Sequence, residues 1–304
     1  MFSIVIPLYN KAESVERALR SIFSQSIENY EIIVVDDGST DGCDNIVETL
    51  NNRRVKLIRQ NHGGVSKARN RGIVESHGEW VTFLDADDEW KPDFLATCLA
   101  LQTTFPDADV VATAYERERK GESSAIILRR MKEIGNILLD NYFEVAACSD
   151  PPFCTISVAV RRKALLDIGG FNETIGQGED LLLWANLATH HKIAYSTQSQ
   201  AIFHTGETSS LGRPKRIPPD NDVVGHSLES LYKNNTTIPG LREYVATWHK
   251  MRASMFLRLP HYSNQCRIEI AKARHLQKNP KLLLYYILLL LPYRLRMALL
   301  ARQS

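Results

Sequence analysis

Hydrophobic residues in the first hundred positions form short continuous runs that alternate with segments of helical spacing. The runs at 2–8, 30–35 and 80–84 are largely apolar at both odd and even positions, which is typical of strands buried on both faces. Between them, 13–25 places apolar residues three and four positions apart, as amphipathic helices do. Residues 65–76, which carry Lys67, Arg69 and Arg71, are also predicted to form a helix. This alternation predicts βαβ units and a mostly parallel sheet flanked by helices.

Towards the middle of the chain the strand signal weakens. Strand patterns recur at 109–115 and 153–160, whereas 116–150 is charged and irregular. Residues 209–222 contain four prolines and glycines and predict a mobile loop. From about Asp222 onward the spacing predicts only helices. We therefore expect an α/β domain that is followed by a C-terminal helical appendage.

Composition narrows the class of protein. A hydrophobic fraction of 44% in 304 residues is enough for a sizeable core. The five cysteines are odd in number and include no Cys-x-x-Cys pair, which argues against a disulfide framework or a zinc site and for a reducing compartment. Met1 is followed almost at once by the first strand pattern rather than by a secretory signal. These features predict a cytoplasmic protein.

The net charge of +2 conceals an uneven distribution. Residues 242–304 contain twelve Lys or Arg and two acidic residues, a difference of +10, so 1–241 carry about −8, which is +2 minus 10. An acidic body and a basic tail suggest two different roles.

Acidic residues follow the apolar run at 80–84. Asp85 and Asp87 are two positions apart, so an extended chain directs both side chains to the same side. In open α/β sheets, ligands bind in the crevice beyond the carboxyl ends of the strands. Clustered carboxylates there favour a hard divalent cation that holds a diphosphate. The alternative is an acidic turn that ends the strand and caps a helix beginning near Pro92.

βαβ crossovers bring the ends of several predicted strands to one edge of the sheet, and this edge carries Tyr9, Asp37 and Asp87. A nucleotide-sugar bound there needs a pocket for its base and ribose and a cation for its diphosphate. Tyr9 offers a ring for stacking on a nucleobase, and Asp37 can accept hydrogen bonds from the base or ribose. Asp85 can hold ribose hydroxyls, and Asp87 can ligate Mg²⁺ or Mn²⁺.

Further candidates lie outside these strand ends. Lys67 and Arg69, on a predicted helix, either contact phosphates or form a solvated helix face. Asp180 follows Gly178 at a predicted helix start, where the dipole favours an ionised carboxylate that can act as a general base; the alternative is a charge that serves only the helix. His204 offers a neutral nitrogen to a metal, or it is a structural histidine.

Five segments in register resemble family 2 glycosyltransferases of the GT-A fold over about residues 1–210. They are Val5–Asn10, Val34–Asp41, Gly63–Gly72, Phe83–Asp88, and Gly178–Asp180 with Trp184. The resemblance implies a Rossmann-like GT-A domain at 1–220, with a nucleotide-sugar half at about 1–115 and an acceptor half at about 116–220. The basic region 221–304 would then be helical.

The resemblance also implies an inverting, metal-dependent transfer from a nucleotide-diphospho-sugar, with UDP favoured, to a saccharide or lipid-linked acceptor of the bacterial polysaccharide or lipopolysaccharide type. Mn²⁺ or Mg²⁺ would be bound by Asp87 and His204, and Asp180 would be the general base. Glu179 and Trp184 would lie on the acceptor side. The implied donor-binding residues are Pro7, Tyr9, Asn10, Asp37, Lys67, Arg69, Asp85 and Ala86.

One departure from the family pattern concerns processivity. Processive members carry a Gln-x-x-Arg-Trp motif and several membrane spans. Here Trp184 lies within the predicted helix that Glu179 and Asp180 begin, and neither that motif nor a long apolar span is present in the sequence. The sequence therefore predicts the addition of one sugar per encounter.

The tail contains a ten-residue apolar run at 282–291, followed by Pro292 and by Arg294, Arg296 and Arg302. A transmembrane helix needs about 20 apolar residues, so this run is too short to span a bilayer. Basic residues beside an apolar helix predict a peripheral segment on the anionic inner face of the cell membrane. The alternatives are packing on the catalytic domain or on a second subunit of a homodimer. Nucleic acid is not an expected partner.

Three other functions compete with sugar transfer. A nucleotidyltransferase usually has a glycine-rich basic loop after its first strand, but 7–13 contain no glycine. A non-catalytic scaffold on a degenerate transferase fold conflicts with the complete set of acidic residues. A glycoside hydrolase also uses paired carboxylates, although Asp-x-Asp after a parallel strand fits a diphosphate better.

Overall fold

The computed structural model describes residues 1–205 and 217–301. The described chain forms two compact units. The first comprises 1–142 and 149–205, and the second comprises 143–148 and 217–301. Most of the predicted loop at 209–222 lies outside the described residues.

Ten strands among the described residues of the first unit form one sheet. The strands are β1 (Phe2–Leu8), β2 (Tyr30–Asp36), β3 (Val55–Arg59), β4 (Trp80–Phe83), β5 (Glu89–Trp90), β6 (Val110–Arg119), β7 (Glu122–Ala125), β8 (Asn136–Leu138), β9 (Val158–Arg161) and β10 (Ile193–His204).

The strand order is β3-β2-β1-β4-β9-β6-β10-β5, with β7 beside β6 and β8 beside β10. β1 is parallel to β2 and to β4, and β2 is parallel to β3, so these four strands end at one edge. β6 and β10 are also parallel, whereas β9 runs antiparallel between β4 and β6. The predicted α/β class with a central sheet is confirmed.

Helices flank this sheet and form the second unit. They are α1 (Val15–Phe23), α2 (Cys43–Thr49), α3 (Val65–Glu75), α4 (Phe94–Thr104), α5 (Tyr142–Ala146), α6 (Arg162–Asp167), α7 (Glu179–His190), α8 (Val223–Asn234), α9 (Leu241–Leu257), α10 (Ser263–Leu276), α11 (Pro280–Leu289) and α12 (Tyr293–Ala301).

Side chains of both parities on β1 are buried, as its apolar run predicted. Ile4, Ile6 and Leu8 pack in the core with α1, and burial of each such side chain contributes roughly 1.5–3 kcal/mol. On helix α3, a Cβ at Gly72 would lie 2.2 Å from Cγ1 of Val5. Only glycine therefore allows α3 to approach β1 this closely.

Residues 116–150 contain more regular structure than the sequence pattern indicated. β6 continues to Arg119 and turns into β7 through Lys120 and Gly121, whose φ angles are +54° and +83°. Two consecutive residues of positive φ are typical of a tight type I′ hairpin turn. β7 is exposed along its whole length, so no apolar alternation marks it in the sequence.

The second unit has its own apolar core, formed by α9 to α12 and including Phe256, Ile270 and Leu282. Beside it lies a buried ion cluster. Arg252 Nε is 2.9 Å from Glu269 Oε1 and 3.2 Å from Asp222 Oδ2, and His249 Nδ1 is 2.7 Å from Glu269 Oε2. Among the described helices, none has both the length and the apolar character needed to cross a membrane. None of the five cysteines, all of which lie within the described residues, forms a disulfide.

Candidate functional site

The predicted site residues follow the ends of β1, β2 and β4. The Asp37 N–H donates to the Leu8 carbonyl at 2.8 Å, and the Leu84 N–H donates to the Val5 carbonyl at 3.1 Å. These bonds continue the parallel ladders just beyond the strands. The turns that carry Tyr9, Asp37 and Asp85 therefore leave the sheet at one edge.

The exposed surface of this edge includes a pair of rings. Tyr9 stacks on His62 with ring centroids 4.3 Å apart and an interplanar angle of 26°. The buried Asp37 carboxylate accepts backbone N–H groups of Gly63 and Gly64 at 2.9 and 2.8 Å, and His62 Nδ1 lies 2.9 Å from it. Asp37 thus fixes the loop that presents His62 beside Tyr9. Its acceptance of hydrogen bonds from a nucleobase stays a prediction.

The turn after β1 is held by side-chain hydrogen bonds. Asn10 has a φ of +50°, and its Oδ1 accepts the Thr40 N–H at 2.8 Å while its own N–H donates to Ser39 Oγ at 3.1 Å. Pro7 has no N–H to donate, and the pairing of β1 with β4 ends just before it, at Val5.

Arg69 connects the turn after β4 to helix α7. Its side chain is only 5% exposed; Nη2 donates to Asp85 Oδ1 at 2.8 Å, and Nη1 lies 3.2 Å from Glu179 Oε1. The guanidinium also lies 5.2 Å from the centroid of the Phe171 ring. Arg69 is therefore not part of a solvated helix face, whereas Lys67 on the same helix is exposed.

Asp180 lies in the first turn of α7. Burial, and then the neighbouring Glu179 carboxylate, raise the pKa of Asp180 to about 6 against the opposing charge of Arg69. The Leu181 N–H donates to Asp180 Oδ1 at 2.8 Å. The expected stabilisation of the carboxylate by the helix start is thus outweighed by burial, which brings its titration close to neutrality.

Asp87 carries two basic contacts. The Lys11 ammonium contacts Asp87 Oδ2, and Arg17 Nη2 donates to the Asp87 carbonyl at 2.6 Å. Ala86, beside it, is buried in the turn that the hydrogen bond from the Asp88 N–H to the Asp85 carbonyl closes at 3.0 Å.

His204 ends β10 among acidic side chains. Its Nδ1 is 2.9 Å from Glu118 Oε2, and its Nε2 is 3.2 Å from Glu89 Oε1. The ligand atoms of these three residues all lie within 4.8 Å of one another. Carboxylate oxygens with one imidazole nitrogen fit Mn²⁺ or Mg²⁺. The structure pairs His204 with these glutamates and Asp87 with Lys11, so a single ion bound by both Asp87 and His204 stays a prediction.

Asp88 was not among the predicted site residues. It is buried, and its Oδ1 accepts the His204 N–H at 2.8 Å. Burial, followed by the charges of Asp85 and Asp87, raises its pKa well above the ordinary value. The only sequence signal for Asp88 is its place in the acidic run. For the other unpredicted residues, His62, Glu89 and Glu118, the sequence offered only proximity to predicted strand ends.

Trp184 lies in the core rather than on the surface. It is 1% exposed and packs edge-on against Phe153 and Phe171, with centroids 5.8 and 6.0 Å away. The Trp184 side chain therefore packs α7 against the core. Glu179 and Asp180 begin the same helix, on the side of Arg69.

The sequence model described as "Glycosyl transferase family 2" matches residues 3–168. The succinoglycan biosynthesis protein ExoW of Rhizobium meliloti is 38% identical over 324 aligned positions, which cover 92% of this chain and 95% of ExoW. Matches to five other curated glycosyltransferases cover only 19% to 39% of the length of those proteins.

Solved structures share the fold. S. aureus TarS 1-349 in complex with UDP-GlcNAc superposes with a TM-score of 0.71 at 20% identity, over 90% of this chain and 81% of that one. The mannosyltransferase PcManGT from Pyrobaculum calidifontis, in complex with GDP-Man and Mn²⁺, gives a TM-score of 0.58 at 19% identity, over 99% and 79% of the two chains. At these identities the likeness concerns the fold alone.

Proposed function

Because the chain belongs to glycosyltransferase family 2, we propose that the edge formed by β1, β2 and β4 binds a uridine nucleotide-diphospho-sugar, whose sugar passes to an acceptor hydroxyl with inversion. The observation that carries this proposal is the bridge from Asp85 through Arg69 to Glu179. It joins the donor edge to the helix that carries the candidate base, as a transfer between two bound sugars requires.

On the donor side, the stacked rings of Tyr9 and His62 offer a platform for the nucleobase. Asp85, with one oxygen on Arg69 and a partly exposed side chain, accepts hydrogen bonds from ribose hydroxyls. The exposed Lys67 at the start of α3 supplies positive charge near the phosphates.

On the acceptor side, Asp180 removes the proton of the acceptor hydroxyl as that oxygen attacks the anomeric carbon. The bond from this carbon to the diphosphate oxygen breaks in the same step, and the nucleoside diphosphate leaves with the bonding electrons. A carboxylate with a pKa of about 6 is ionised at neutral pH and is basic enough to accept this proton. The Arg69–Glu179 pair holds the first turn of α7 in place.

A divalent cation, when bound, neutralises charge on the departing diphosphate. Asp87 and His204, with Glu89 and Glu118 beside His204, are the residues that would hold Mn²⁺ or Mg²⁺.

The test is calorimetric titration with UDP and UDP-sugars, with and without Mn²⁺. We expect metal-dependent binding that Asp87→Asn abolishes, whereas Asp180→Asn still binds UDP but transfers sugar roughly 100- to 10,000-fold more slowly. Asp107→Asn, at an exposed carboxylate, is the matched control and should behave like the unaltered protein. Binding of no nucleotide under any condition would favour a non-catalytic scaffold.

We also propose that the acceptor is a lipid-linked saccharide at the cytoplasmic face of the membrane. In the second unit, Leu282, Leu288 and Leu289 are buried in the core, so part of the tail packs internally. A second set of apolar side chains on α11, α12 and the turn between them is exposed and lies next to Lys281 and Arg294, a composition that suits an anionic bilayer surface. This set is Leu283, Leu284, Ile287, Leu290, Tyr293, Leu295 and Leu299.

Flotation with phosphatidylglycerol vesicles tests this surface. We expect Ile287→Glu with Leu290→Glu to reduce vesicle binding at least tenfold, because a charge in apolar lipid is costly. Val74→Glu, at an equally exposed apolar position of the first unit, should have no effect. Unchanged flotation of the double variant, together with a shift from dimer to monomer, would assign the same surface to a second copy of the chain.

A further inference from the structure

The three acidic side chains after β4 each have different surroundings. Asp85 pairs with Arg69, whose guanidinium is fixed between Asp85 and Glu179. Asp88 is buried, and its Oδ1 accepts the His204 N–H at 2.8 Å. Asp87 pairs with Lys11, and both side chains are 15% exposed. Of the two cations, only Lys11 is on a flexible, partly exposed stem, so it is the one that can exchange partners.

Lys11 and a divalent cation compete for Asp87. The ammonium contacts Oδ2, and a divalent cation held by either oxygen of this carboxylate would place a second positive charge beside it. Two cations at one carboxylate repel each other, and the Asp87 carbonyl already accepts a hydrogen bond from Arg17 at 2.6 Å. A metal at Asp87 would therefore favour departure of the ammonium.

The displaced ammonium has a new anion close by. A cation held by Asp87 would also attract the diphosphate, so phosphate oxygens would lie close to the place that Lys11 Nζ occupies. The lysine side chain has several rotatable bonds, which would allow this short movement.

We propose that Lys11 exchanges Asp87 for the donor's diphosphate when the divalent cation binds. The ammonium first holds the carboxylate in place and then neutralises charge on the leaving group. The inference rests on the proposed function, in which this edge binds a nucleoside diphosphate.

Binding measurements on the full chain test the exchange. Lys11→Met removes the competing charge, so we expect it to bind Mn²⁺ about tenfold more tightly than the unaltered chain when no nucleotide is present. With saturating Mn²⁺, the same variant should bind UDP about tenfold more weakly, because the diphosphate has lost a cation. A residue that only supports the fold would not move these two affinities in opposite directions.

Two variants serve as controls. Lys56→Met removes the same charge at an exposed position paired with Glu75 and should change neither affinity. Lys11→Arg keeps the charge and should bind Mn²⁺ like the unaltered chain. It also separates loss of charge from loss of folding.

The outcomes distinguish the two proposals. If the unaltered chain binds UDP with Mn²⁺ but Lys11→Met leaves the Mn²⁺ affinity unchanged or lowers it, the exchange is wrong and the proposed donor site stands. An unchanged UDP affinity in Lys11→Met would also overturn the exchange. If the unaltered chain binds no UDP, the donor site itself is wrong and the exchange is lost with it.

Discussion

Burial and the neighbouring Glu179 carboxylate raise the pKa of Asp180 to about 6, and this sets the expected pH dependence of transfer. A general base must be ionised, so kcat/KM should fall as the pH drops through about 6 and level off above pH 7. Release of UDP from the donor that binds best measures this profile. Asp180→Asn should lose roughly 100- to 10,000-fold in kcat. A flat profile between pH 5 and 8 would remove Asp180 from the proton transfer.

The positive charge of Arg69 lowers the pKa of Asp180 and so opposes the effects of burial and of Glu179. In Arg69→Met that charge is absent, so the acid limb of the pH profile should move to higher pH. Arg69→Lys keeps the charge and should keep the limb near its original position, although the two-armed contact with Asp85 and Glu179 is lost. If the acid limb of the pH profile stays at its original pH in both variants, Arg69 does not affect the pKa of Asp180, whatever it contributes to folding.

At the scale of elements, helix α3 places Arg69 through its close approach to β1. A Cβ at Gly72 would lie 2.2 Å from Val5 Cγ1, so Gly72→Ala must push α3 outward. We expect a loss of about 1–3 kcal/mol in the free energy of unfolding, measured with urea. The matched control is Gly176→Ala at an exposed glycine with open space around its Cβ position, which should be neutral. If Gly72→Ala and the unaltered protein have equal free energies of unfolding, the contact between α3 and β1 relaxes without cost.

The sequence can predict a strand or helix when the residue pattern that marks it lies within that element. β1, β2 and β4 are apolar on both faces, which indicated their burial, and their alternation with helical segments indicated a shared edge. β7 has no buried face, so a pattern search cannot find it. The pairing of Arg69 with Glu179 joins positions 110 residues apart, and the burial that raises the pKa of Asp180 is also a tertiary effect. Neither is encoded in local spacing.

At the scale of the whole molecule, the basic C-terminal region buries one of its few acidic residues. Glu269 contacts Arg252 at 2.9 Å and His249 at 2.7 Å. Burial pushes its pKa upward, but hydrogen bonds from His249 and Arg252 and their charges outweigh this and lower it. An acidic group whose folded pKa is lowered adds stability above its unfolded pKa, and this stability is lost as the pH falls through the folded pKa.

Glu269→Gln removes this counter-charge, but Asp222 still lies 3.2 Å from Arg252, so the second unit should lose about 1–3 kcal/mol at pH 7. Hydrogen exchange of α9 and α10 amides measures the loss within that unit. Because unmodified Glu269 becomes protonated at low pH, the difference between the two proteins should shrink below about pH 4. Asp220→Asn, at an exposed carboxyl two residues from Asp222, should change protection by less than about 0.5 kcal/mol. A Gln variant as well protected as the unaltered chain at pH 7 would mean that the ion cluster fixes the geometry of these helices without stabilising them.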